Sequence, residues 1–413
     1  MHAPDYVVLM ARFFPASMAH LGEAVARDQG KAHFIDGAMP GETIEGNIVL
    51  DKGSWARVQL TRIIDPSPER IDPVCPHFVR CGGCQWQFAA YEAQLRWKSE
   101  VLSGQLRHLG GIDSPVVRAT KTVSPPYQYR NRMDFDVVDG RPALHKRRSN
   151  HQEKLEECHL LLPGLADLFE ELGHLGSAQK VTIRMSIATG ERHMIFEGGR
   201  PPPADRWDAA VSHRSHSGTQ IISGNGAISE HVGTTRFRIT GKSFFQNNTT
   251  GANALVDLVK EALQPQPGDT LLDGYAGGGL FAATVTPDEG RVIAIERSLV
   301  SVRDLRHNLA QSTIEDFRVI LGSVEEAIEN LDEYVQIAVV DPPRNGMGEK
   351  GVTAITATQP RALAYVSCDP ASLARDTRYL AQAGYEMEWA APVDLFPQTF
   401  HVETVASFIR SRT

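Results

Sequence analysis

The pattern of apolar and polar residues changes twice along the 413-residue chain. From residue 5 to about 65, short apolar runs alternate with Gly and Pro turns, as in KAHFIDGAMPGETIEGNIVL, which predicts an all-β domain. The proline-rich stretch DPSPERIDPVCP marks the end of that domain. A helix is predicted over about 91–110, where Leu95, Leu102 and Leu106 have helical spacing and a glycine pair ends the run.

A mixed α/β pattern covers residues 125–240, and PPPADRWDAAVSHRSHSG within it is predicted to be an irregular loop. From about residue 250, helices and strands alternate. GANALVDLVKEAL predicts a helix, DTLLDGYAGGGLFAATV a strand, a Gly-rich turn and a helix, and RVIAIE, VQIAVVDPP and RALAYVSCDP three more strands. The C-terminal stretch predicts two strands joined by a loop. This order predicts a doubly wound α/β sheet closed by an antiparallel hairpin.

The composition is that of an ordinary globular protein, with 42% hydrophobic and 22% charged residues. No apolar run is long enough to cross a bilayer, and MHAPDYVVLMARFF has no small-residue cleavage site, so a cytoplasmic protein is expected. The net charge of −8 disfavours a nucleic acid partner. However, residues 251–350 hold 17 acidic and 8 basic side chains, so the rest of the chain sums to +1 and RNA binding stays open.

The Gly-rich turn LLDGYAGGGLF differs from the dinucleotide pattern G-x-G-x-x-G, because an Asp ends the strand and three glycines stand together at 277–279. The spacing D-x-x-x-G-x-G suits S-adenosylmethionine, since the glycines let the backbone approach the cofactor and no pyrophosphate has to be bound. Glu296 ends the next strand, where a carboxylate can accept both ribose hydroxyls. Gly-rich turns follow strands in many α/β folds, so the motif alone favours this cofactor only modestly.

Three more chemical groups fall at the ends of predicted strands. VVDPPRNG places Asp341 beside a rigid proline pair, and Arg344 stands where amino-group methyltransferases usually have an aromatic residue, which argues against N-methylation of adenine. YVSCDP places Cys368 just past the next strand, where a thiolate can attack C6 of a pyrimidine. Glu403 in FHVETVA starts the last strand and can remove the C5 proton. Taken singly, such a Cys is more often a buried, inert thiol.

The remaining cysteines are grouped. VCPHFVRCGGCQWQ contains Cys75, Cys81 and Cys84, and Cys158 in EECHLLLPG can supply a fourth thiolate. Four thiolates suit zinc or a 4Fe–4S cluster. Zinc ribbons usually use two C-x2-C pairs, so one loop with a distant partner weakly favours iron–sulfur. Cys368 is then the one cysteine left for a separate role.

Together these motifs resemble the RNA (uracil-5-)-methyltransferase family, closest to its iron–sulfur members that act on 23S rRNA. The matching pieces follow the family's order over nearly the whole chain: FIDGAMPGE, CPHFVRCGGCQWQ, QLRWK, YRNRMDF, SFFQNN, LLDGYAGGGLF, VVDPPRNG, YVSCDP and HVETVA. The resemblance implies S-adenosylmethionine-dependent C5-methylation of an RNA uridine through a covalent Cys–C6 adduct, giving 5-methyluridine. It favours 23S rRNA as the partner, with a T-loop uridine of tRNA as the alternative.

The resemblance also implies how the chain is divided. Residues 1–65 are expected to form a TRAM domain, an OB-like β-barrel that binds RNA. Residues 66–240 are expected to be a central α/β domain with the iron–sulfur cluster. Residues 241–413 are expected to be a Rossmann-like methyltransferase domain, on which the helix over about 91–110 packs. The protein is expected to be a monomer that binds RNA and no membrane.

Family roles carry over to the matching positions. Cys368 is implied as the nucleophile and Glu403 as the general base. Cofactor and uracil contacts are implied for Gln246, Tyr275, Glu296 and Asp341, and cluster ligation for Cys75, Cys81, Cys84 and Cys158. Three residues depart from the family's pattern: Gly274 replaces a larger apolar residue, Leu280 a small polar one, and Ser323 an acidic one near the adenine.

Two interpretations from other classes compete with this one. An inactive RNA-binding protein is disfavoured by the presence of both Cys368 and Glu403. A radical S-adenosylmethionine enzyme typically uses a compact C-x3-C-x2-C motif that leaves one iron open for the cofactor. Here Cys158 closes the cysteine set, and the cofactor has its own Gly-rich turn.

Overall fold

A computed structural model describes residues 10–241 and 243–411. The N-terminal part of the chain forms the first sheet. Alternate residues are buried in β4 and in the first half of β5, as in strands with one face against a core. The strand order is β1-β5-β6-β4-β3-β2. The six strands are β1 (Met10–Phe13), β2 (Ser17–Met18), β3 (Ala24–Asp28), β4 (Lys31–Ile35), β5 (Thr43–Asp51) and β6 (Trp55–Asp65).

The N-terminal domain, expected to be an OB-like β-barrel, is a six-stranded sheet, and the described residues do not show a closed barrel. In the part of the chain that the structure describes, the edge strands β1 and β2 form no ladder with each other. They are successive pieces of one chain separated by Pro15, whose fixed φ and missing N–H prevent a continuous strand. The backbone at this bend bonds elsewhere, since Gly41 donates to the Pro15 carbonyl and Ala16 donates to Val25. Residues 1–9 of the predicted domain lie outside the described residues.

One helix, α1 (Tyr91–His108), joins two hydrophobic cores. Its first half contributes Trp97 to the core of the N-terminal sheet, where the Trp97 ring meets Trp86 edge-on at 5.4 Å. Its second half contributes Leu102 and Leu106 to a core of the C-terminal sheet. Residues on one helical face recur every three or four positions, so a helix of this length can reach both cores.

The central part of the chain forms a second sheet and a hairpin. The sheet has the order β10-β9-β8-β11-β12-β13-β14, and β15 pairs with β16. The elements are β7 (Lys121–Thr122), β8 (Arg132–Val138), β9 (Arg141–His145), β10 (Gln152–Lys154), α2 (Pro163–Glu170), β11 (Lys180–Met185), β12 (Arg192–Glu197), β13 (Ala210–Ser215), β14 (Gly218–Ser223), β15 (Ala227–Val232) and β16 (Thr235–Thr240).

The stretch PPPADRWDAAVSHRSHSG was predicted to be an irregular loop, and that prediction is wrong in part. It contains a 3₁₀ turn, Ala204–Arg206, and β13, which pairs in parallel with β12. Val211 of β13 is fully buried in the core of the second sheet, and this packing stabilises the strand. Strand formation depends strongly on such partners, and a window of polar residues does not reveal them.

The C-terminal part forms an α/β sheet of the order β19-β18-β17-β20-β21-β23-β22-β7. The predicted doubly wound sheet with an antiparallel hairpin is confirmed, since β23 runs antiparallel to β21 and β22. The elements are α3 (Thr249–Leu263), β17 (Thr270–Gly274), α4 (Leu280–Val285), β18 (Arg291–Glu296), α5 (Leu299–Ala310), β19 (Asp316–Leu321), α6 (Val324–Glu329), β20 (Ile337–Val340), α7 (Gly348–Ala357), β21 (Ala362–Ser367), α8 (Pro370–Gln382), β22 (Tyr385–Asp394) and β23 (Glu403–Arg410).

Both faces of this sheet are covered. Leu271 of β17 packs in the core formed with α3, α4 and α5, while its neighbour Leu272 packs in the core formed with α6, α7, α8 and α1. Strands buried on both faces read as continuous apolar runs, which is why IAVV and ALAYVS were recognisable as strands. None of the helices in residues 10–241 and 243–411 is long and apolar enough to cross a bilayer.

A buried ion pair joins α1 to the last hairpin. Lys98 Nζ lies 2.5 Å from Asp394 Oδ1, and neither side chain is exposed to solvent. Tyr91 donates to Asp394 Oδ2 at 2.8 Å, and Lys98 donates a second bond to the Phe396 carbonyl at 3.1 Å. Burial lowers the pKa of Lys98, and the Asp394 carboxylate opposes that shift. Burying both charges is tolerable only because they satisfy each other.

We predict that Lys98→Met lowers the free energy of unfolding by about 3–5 kcal/mol, because it leaves the Asp394 carboxylate buried and uncompensated. Urea unfolding measures the loss. The double variant Lys98→Met/Asp394→Asn should recover part of it, since the amide is neutral and still accepts from Tyr91. Lys154→Met breaks an exposed pair with Asp139 and should change stability little. A Lys98→Met variant as stable as the control would contradict this account.

Candidate functional site

Three predicted catalytic and binding residues meet at the carboxyl edge of the C-terminal sheet. Cys368 directly follows β21, Glu403 is the first residue of β23, and Asp341 directly follows β20. Ser367 is paired with Thr404, so Cys368 and Glu403 stand opposite each other on neighbouring antiparallel strands. The carboxyl edge of an open α/β sheet is where such folds bind their ligands. The site residues predicted from separate motifs are therefore brought together.

The pKa shifts at the site show that nearby charges affect the ionisation of Cys368 and Glu403. Burial, and then the charges of Glu403 and Asp341, raise the pKa of the Cys368 thiol to about 12, while Arg344 opposes the shift. Burial raises the pKa of Glu403 well above its usual range, and the Asp341 charge adds to the effect. Burial raises the pKa of Asp341 to about 7. Burial therefore favours the protonated thiol and the neutral forms of both carboxyl groups.

This arrangement defines what the site can do. A thiol is a weak nucleophile until it loses its proton, and the two carboxyl groups whose charges act on Cys368 are the candidate acceptors of that proton. Arg344 lowers the pKa of both Cys368 and Glu403, so it favours their charged forms. A thiol, two acids and one cation at a sheet edge suit covalent attack on an electron-poor ring, followed by removal of a proton.

The Gly-rich turn after β17 lies at the same edge. Gly277 donates to Glu296 Oε2 at 2.9 Å, and Ser298 donates to Glu296 Oε1 at 2.6 Å. These bonds hold the Glu296 carboxylate beside the turn. A Cβ on Gly277 would meet nothing within 4 Å, but the residue has φ +55°, so the turn itself needs glycine. The turn therefore leaves open space above its backbone, where a cofactor can approach.

Asp273, near the end of β17, belongs to the Gly-rich motif, but the sequence predicted no separate role for it. Its side chain is fully buried, and Oδ2 accepts from Ala282 at 2.8 Å. Its Oδ1 atom has no hydrogen-bond partner among the described residues. Burial raises the pKa of this carboxyl, and the Asp341 and Glu296 charges raise it further. A buried acceptor without a partner favours a ligand that donates a proton there.

Tyr275 and Gln246, both predicted to contact the cofactor or the uracil, flank the turn. Tyr275 has the uncommon φ of +66° and packs against the core under α6 and α7. Gln246 is buried, and its carbonyl accepts from Asn131 at 3.3 Å. A Cβ on Gly278 would lie 3.6 Å from Ser243 Oγ, so the segment leading to Gln246 passes over the turn.

Two departures from the family's pattern have local explanations. A Cβ on Gly274 would lie 3.2 Å from Val340 Cγ1 and 3.4 Å from Ile355 Cδ1, so these apolar side chains already fill the space of a larger residue. Ser323 is the N-cap of α6 and accepts from Glu326 N at 3.3 Å. A hydroxyl at this position stabilises the start of the helix, because it satisfies a backbone N–H that has no partner within the helix.

The sequence did not predict a role for three residues of this region: His20, Asp369 and His401. His20, in the loop after β2, lies 3.1 Å from Asp369, the residue that follows Cys368 and caps α8. His401 packs its ring on Phe400 at 4.3 Å, and burial lowers the pKa of His401 to about 4. His401 is the first residue of the motif HVETVA, so its position two residues before Glu403 could have indicated it. Nothing in the sequence around His20 indicated a contact that spans so much of the chain.

The four remaining cysteines line one cavity of about 310 Å³, together with Arg130 and His401. The four are Cys75, Cys81, Cys84 and Cys158, and all are free thiols. Burial raises the pKa of Cys158 to about 11 and that of Cys84 to about 12, and the other thiols contribute to both shifts. In residues 10–241 and 243–411, no three His, Cys, Asp or Glu side chains form a group that can hold a metal ion. The structure thus describes a shared thiol cavity, and it does not describe a metal centre or an iron–sulfur domain.

Comparison with known proteins connects these features. Residues 216–411 match the family model described as tRNA (Uracil-5-)-methyltransferase. An uncharacterised RNA methyltransferase of Streptomyces avermitilis is 34% identical over 94% of this chain and 95% of its own length. Another, from Streptomyces coelicolor, is 35% identical over 94% of this chain and 90% of its own length.

A solved structure shares the fold. The Pyrococcus abyssi tRNA (uracil-54, C5)-methyltransferase, crystallised with S-adenosyl-L-homocysteine, superposes with a TM-score of 0.75 at 21% identity. The match covers 97% of this chain and 100% of that chain. At that level of identity the likeness establishes the architecture, including the N-terminal sheet and the α/β domain.

We predict that Asp341→Asn stabilises the folded protein increasingly as the pH rises from about 4 to above 7. The raised pKa of Asp341 means that the folded state disfavours its charge. This cost is absent below the ordinary Asp range and complete once the folded group ionises near pH 7. The variant should gain roughly 1–3 kcal/mol at pH 8. Urea unfolding at pH 4 and pH 8 measures the gain, and an equal gain at both pH values would contradict the interpretation.

Proposed function

Because the chain belongs to the RNA methyltransferase family, we propose that it methylates C5 of a uridine in RNA, with S-adenosylmethionine as the methyl donor. The placement of Cys368 and Glu403 directly beyond the Ser367–Thr404 pair of β21 and β23 is the observation that carries this proposal. A thiol and an acid at one sheet edge supply the nucleophile and the base that C5-methylation needs, because C5 of uracil is not nucleophilic by itself. The Gly-rich turn with Glu296 is the proposed cofactor site, flanked by Gln246 and Tyr275.

The proposed reaction begins when the target uridine leaves its stack and enters the site. The Cys368 thiol gives its proton to a neighbouring carboxylate, and the thiolate forms a bond to C6. The electrons of the C5–C6 double bond move toward O4 and make C5 a carbon nucleophile. C5 then takes the methyl group, which the bound sulfonium supplies, and S-adenosylhomocysteine is the product.

Glu403 completes the reaction in this scheme. In its ionised form, which the charge of Arg344 favours, Glu403 takes the proton from C5, the C5–C6 double bond forms again, and the bond from C6 to Cys368 breaks. Two carboxylates stand beside one thiol, so the thiol proton and the C5 proton can go to different groups, and Asp341 is the proposed acceptor of the first. Holding the thiolate, C5 and the methyl group in line accounts for much of the rate in such a mechanism.

The RNA is proposed to be 23S rRNA, because the cysteine set matches the iron–sulfur members of the family that act on it. A uridine of tRNA is the second candidate. It is favoured by the description of the matching family model and by the name of the Pyrococcus abyssi structural neighbour. Quantitative methylation of both RNAs, with the modified nucleotide mapped, distinguishes the two. The N-terminal sheet is proposed to contact the RNA, and the His20–Asp369 pair supports this because it brings that sheet beside the nucleophile.

A 4Fe–4S cluster is proposed for Cys75, Cys81, Cys84 and Cys158. The four thiols line one cavity, and Cys368, the remaining cysteine, lies at the sheet edge. Buried thiols with raised pKa values would lose their protons on binding a cationic centre, which would balance the thiolate charges. The methyl transfer consumes no electrons, so the cluster would serve to hold the chain around the cavity.

We predict that anaerobically purified protein is brown and contains roughly four irons and four sulfides per chain. The iron should fall in Cys158→Ser, which removes a ligand, and should not change in Cys368→Ser, which removes a thiol outside the cavity. Metal analysis and the visible spectrum measure both. A colourless protein that carries one zinc per chain would show that the four cysteines bind zinc and not an iron–sulfur cluster.

We predict that variants of the two catalytic residues fail at different steps. Cys368→Ala cannot attack C6, so it should form no covalent RNA adduct and transfer no methyl group. Glu403→Gln can attack and methylate but cannot remove the C5 proton, so a methylated protein–RNA adduct should accumulate and turnover should fall by roughly 10²–10⁴-fold. Denaturing gels with labelled methyl donor measure both. Methylation by Cys368→Ala, or normal turnover by Glu403→Gln, would refute the mechanism.

A further inference from the structure

The loop between β22 and β23 leads directly into Glu403, and residues from the first third of the chain make many of its hydrogen bonds. Gln398 in this loop has a φ of +70° and is 3% exposed, so an uncommon backbone shape is fixed inside the protein. A buried loop must satisfy its polar groups internally. The partners that it uses indicate what determines the position of Glu403.

Gln94 of α1 and Gln398 hold each other through both ends of the Gln94 amide. The Gln398 N–H donates to Gln94 Oε1 at 3.0 Å, and Gln94 Nε2 donates to Gln398 Oε1 at 3.0 Å. The same Nε2 atom lies 2.9 Å from the Ala89 carbonyl. Gln94 is completely buried. Its amide therefore works as a fixed clamp, since a fully buried amide must keep its partners.

Other groups of the same region hold the rest of the loop. Gln85 N and Trp86 N both donate to the Gln398 carbonyl at 3.0 Å, and Gln85 directly follows Cys84. Tyr129 donates to the Pro397 carbonyl at 3.0 Å. Lys98 donates to the Phe396 carbonyl, as described above. Three consecutive carbonyls of the loop, at residues 396–398, are thus bound by residues 85–98 and Tyr129.

We propose that Gln94 is a positioning residue for the general base. The sheet ladder sets Glu403 opposite Cys368, and Gln94, through Gln398, fixes the loop that leads into Glu403 from the other side. This inference rests on the proposed function, and it assigns a role in catalysis to a helix outside the α/β domain. Both residues are held by the sheet, but Glu403 directly follows this loop, whereas Cys368 lies between β21 and α8. Loosening the loop should therefore slow proton removal while leaving attack and methyl transfer near normal.

The test uses Gln94→Met in the full-length protein. The methionine keeps the length of the side chain and removes all the hydrogen bonds of the amide. Misplacing a catalytic group by about 1 Å can cost roughly 10²-fold. Decay of the methylated RNA adduct should therefore slow by roughly 10- to 100-fold, while the rate of adduct formation should stay within about 3-fold of wild type. Tyr129→Phe removes one bond to the same loop without changing shape, and should slow decay in the same direction by a smaller factor.

Gln336→Met is the matched control. The Gln336 side chain accepts from Thr270 N at the opposite end of the sheet, so this variant should lose stability without accumulating adduct. Glu403→Gln serves as the reference for complete trapping. The inference is overturned if folded Gln94→Met shows no adduct, or if it loses adduct formation and decay equally. Should Gln94→Met fail to fold, normal adduct decay in Tyr129→Phe overturns it. If Glu403→Gln itself traps no methylated adduct, the proposed function fails and this inference fails with it.

Discussion

The antiparallel pairing of β23 with β21 is the constraint on which the site depends. All the strands from β17 to β21 run in parallel, so their carboxyl ends meet at one edge. A strand that runs the other way begins at that edge, which is why Glu403, the first residue of β23, stands beside Cys368, which follows the last residue of β21. A parallel final strand would have placed the same Glu at the far edge of the sheet.

The site is costly to build. Burial raises the pKa values of Cys368, Asp341 and Glu403, and carboxylate charges add to the shifts of Cys368 and Glu403. Such strain is typical of functional sites, where stability is given up for reactivity. The rest of the domain tolerates it because apolar cores cover both faces of the sheet. The buried Lys98–Asp394 pair contrasts with it, since its two charges compensate each other.

The N-terminal third of the chain takes part in the site without supplying its reactive groups. His20 holds the residue after the nucleophile, and residues 85–98 hold the loop before the base. The thiol cavity is continuous with this arrangement, because His401 and Thr399 of the loop line it with the four cysteines. A change in the cysteine segment can therefore reach the catalytic edge through Gln85 and Trp86, which follow Cys84 directly.

The sequence by itself determined the α/β sheet and its antiparallel end, because strands buried on both faces are continuous apolar runs. It also determined the candidate site residues, because motifs such as YVSCDP place them directly after a recognisable strand. It did not determine the strand order of the N-terminal sheet, β13, or the contacts of His20 and Gln94. Each of those depends on a partner outside its own sequence window: β1 pairs with β5, β13 pairs with β12 and β14, and His20 and Gln94 contact Asp369 and Gln398. Local patterns report burial and turn chemistry, whereas pairing between distant segments is decided by the packing free energy of the whole fold, and only the tertiary structure shows its outcome.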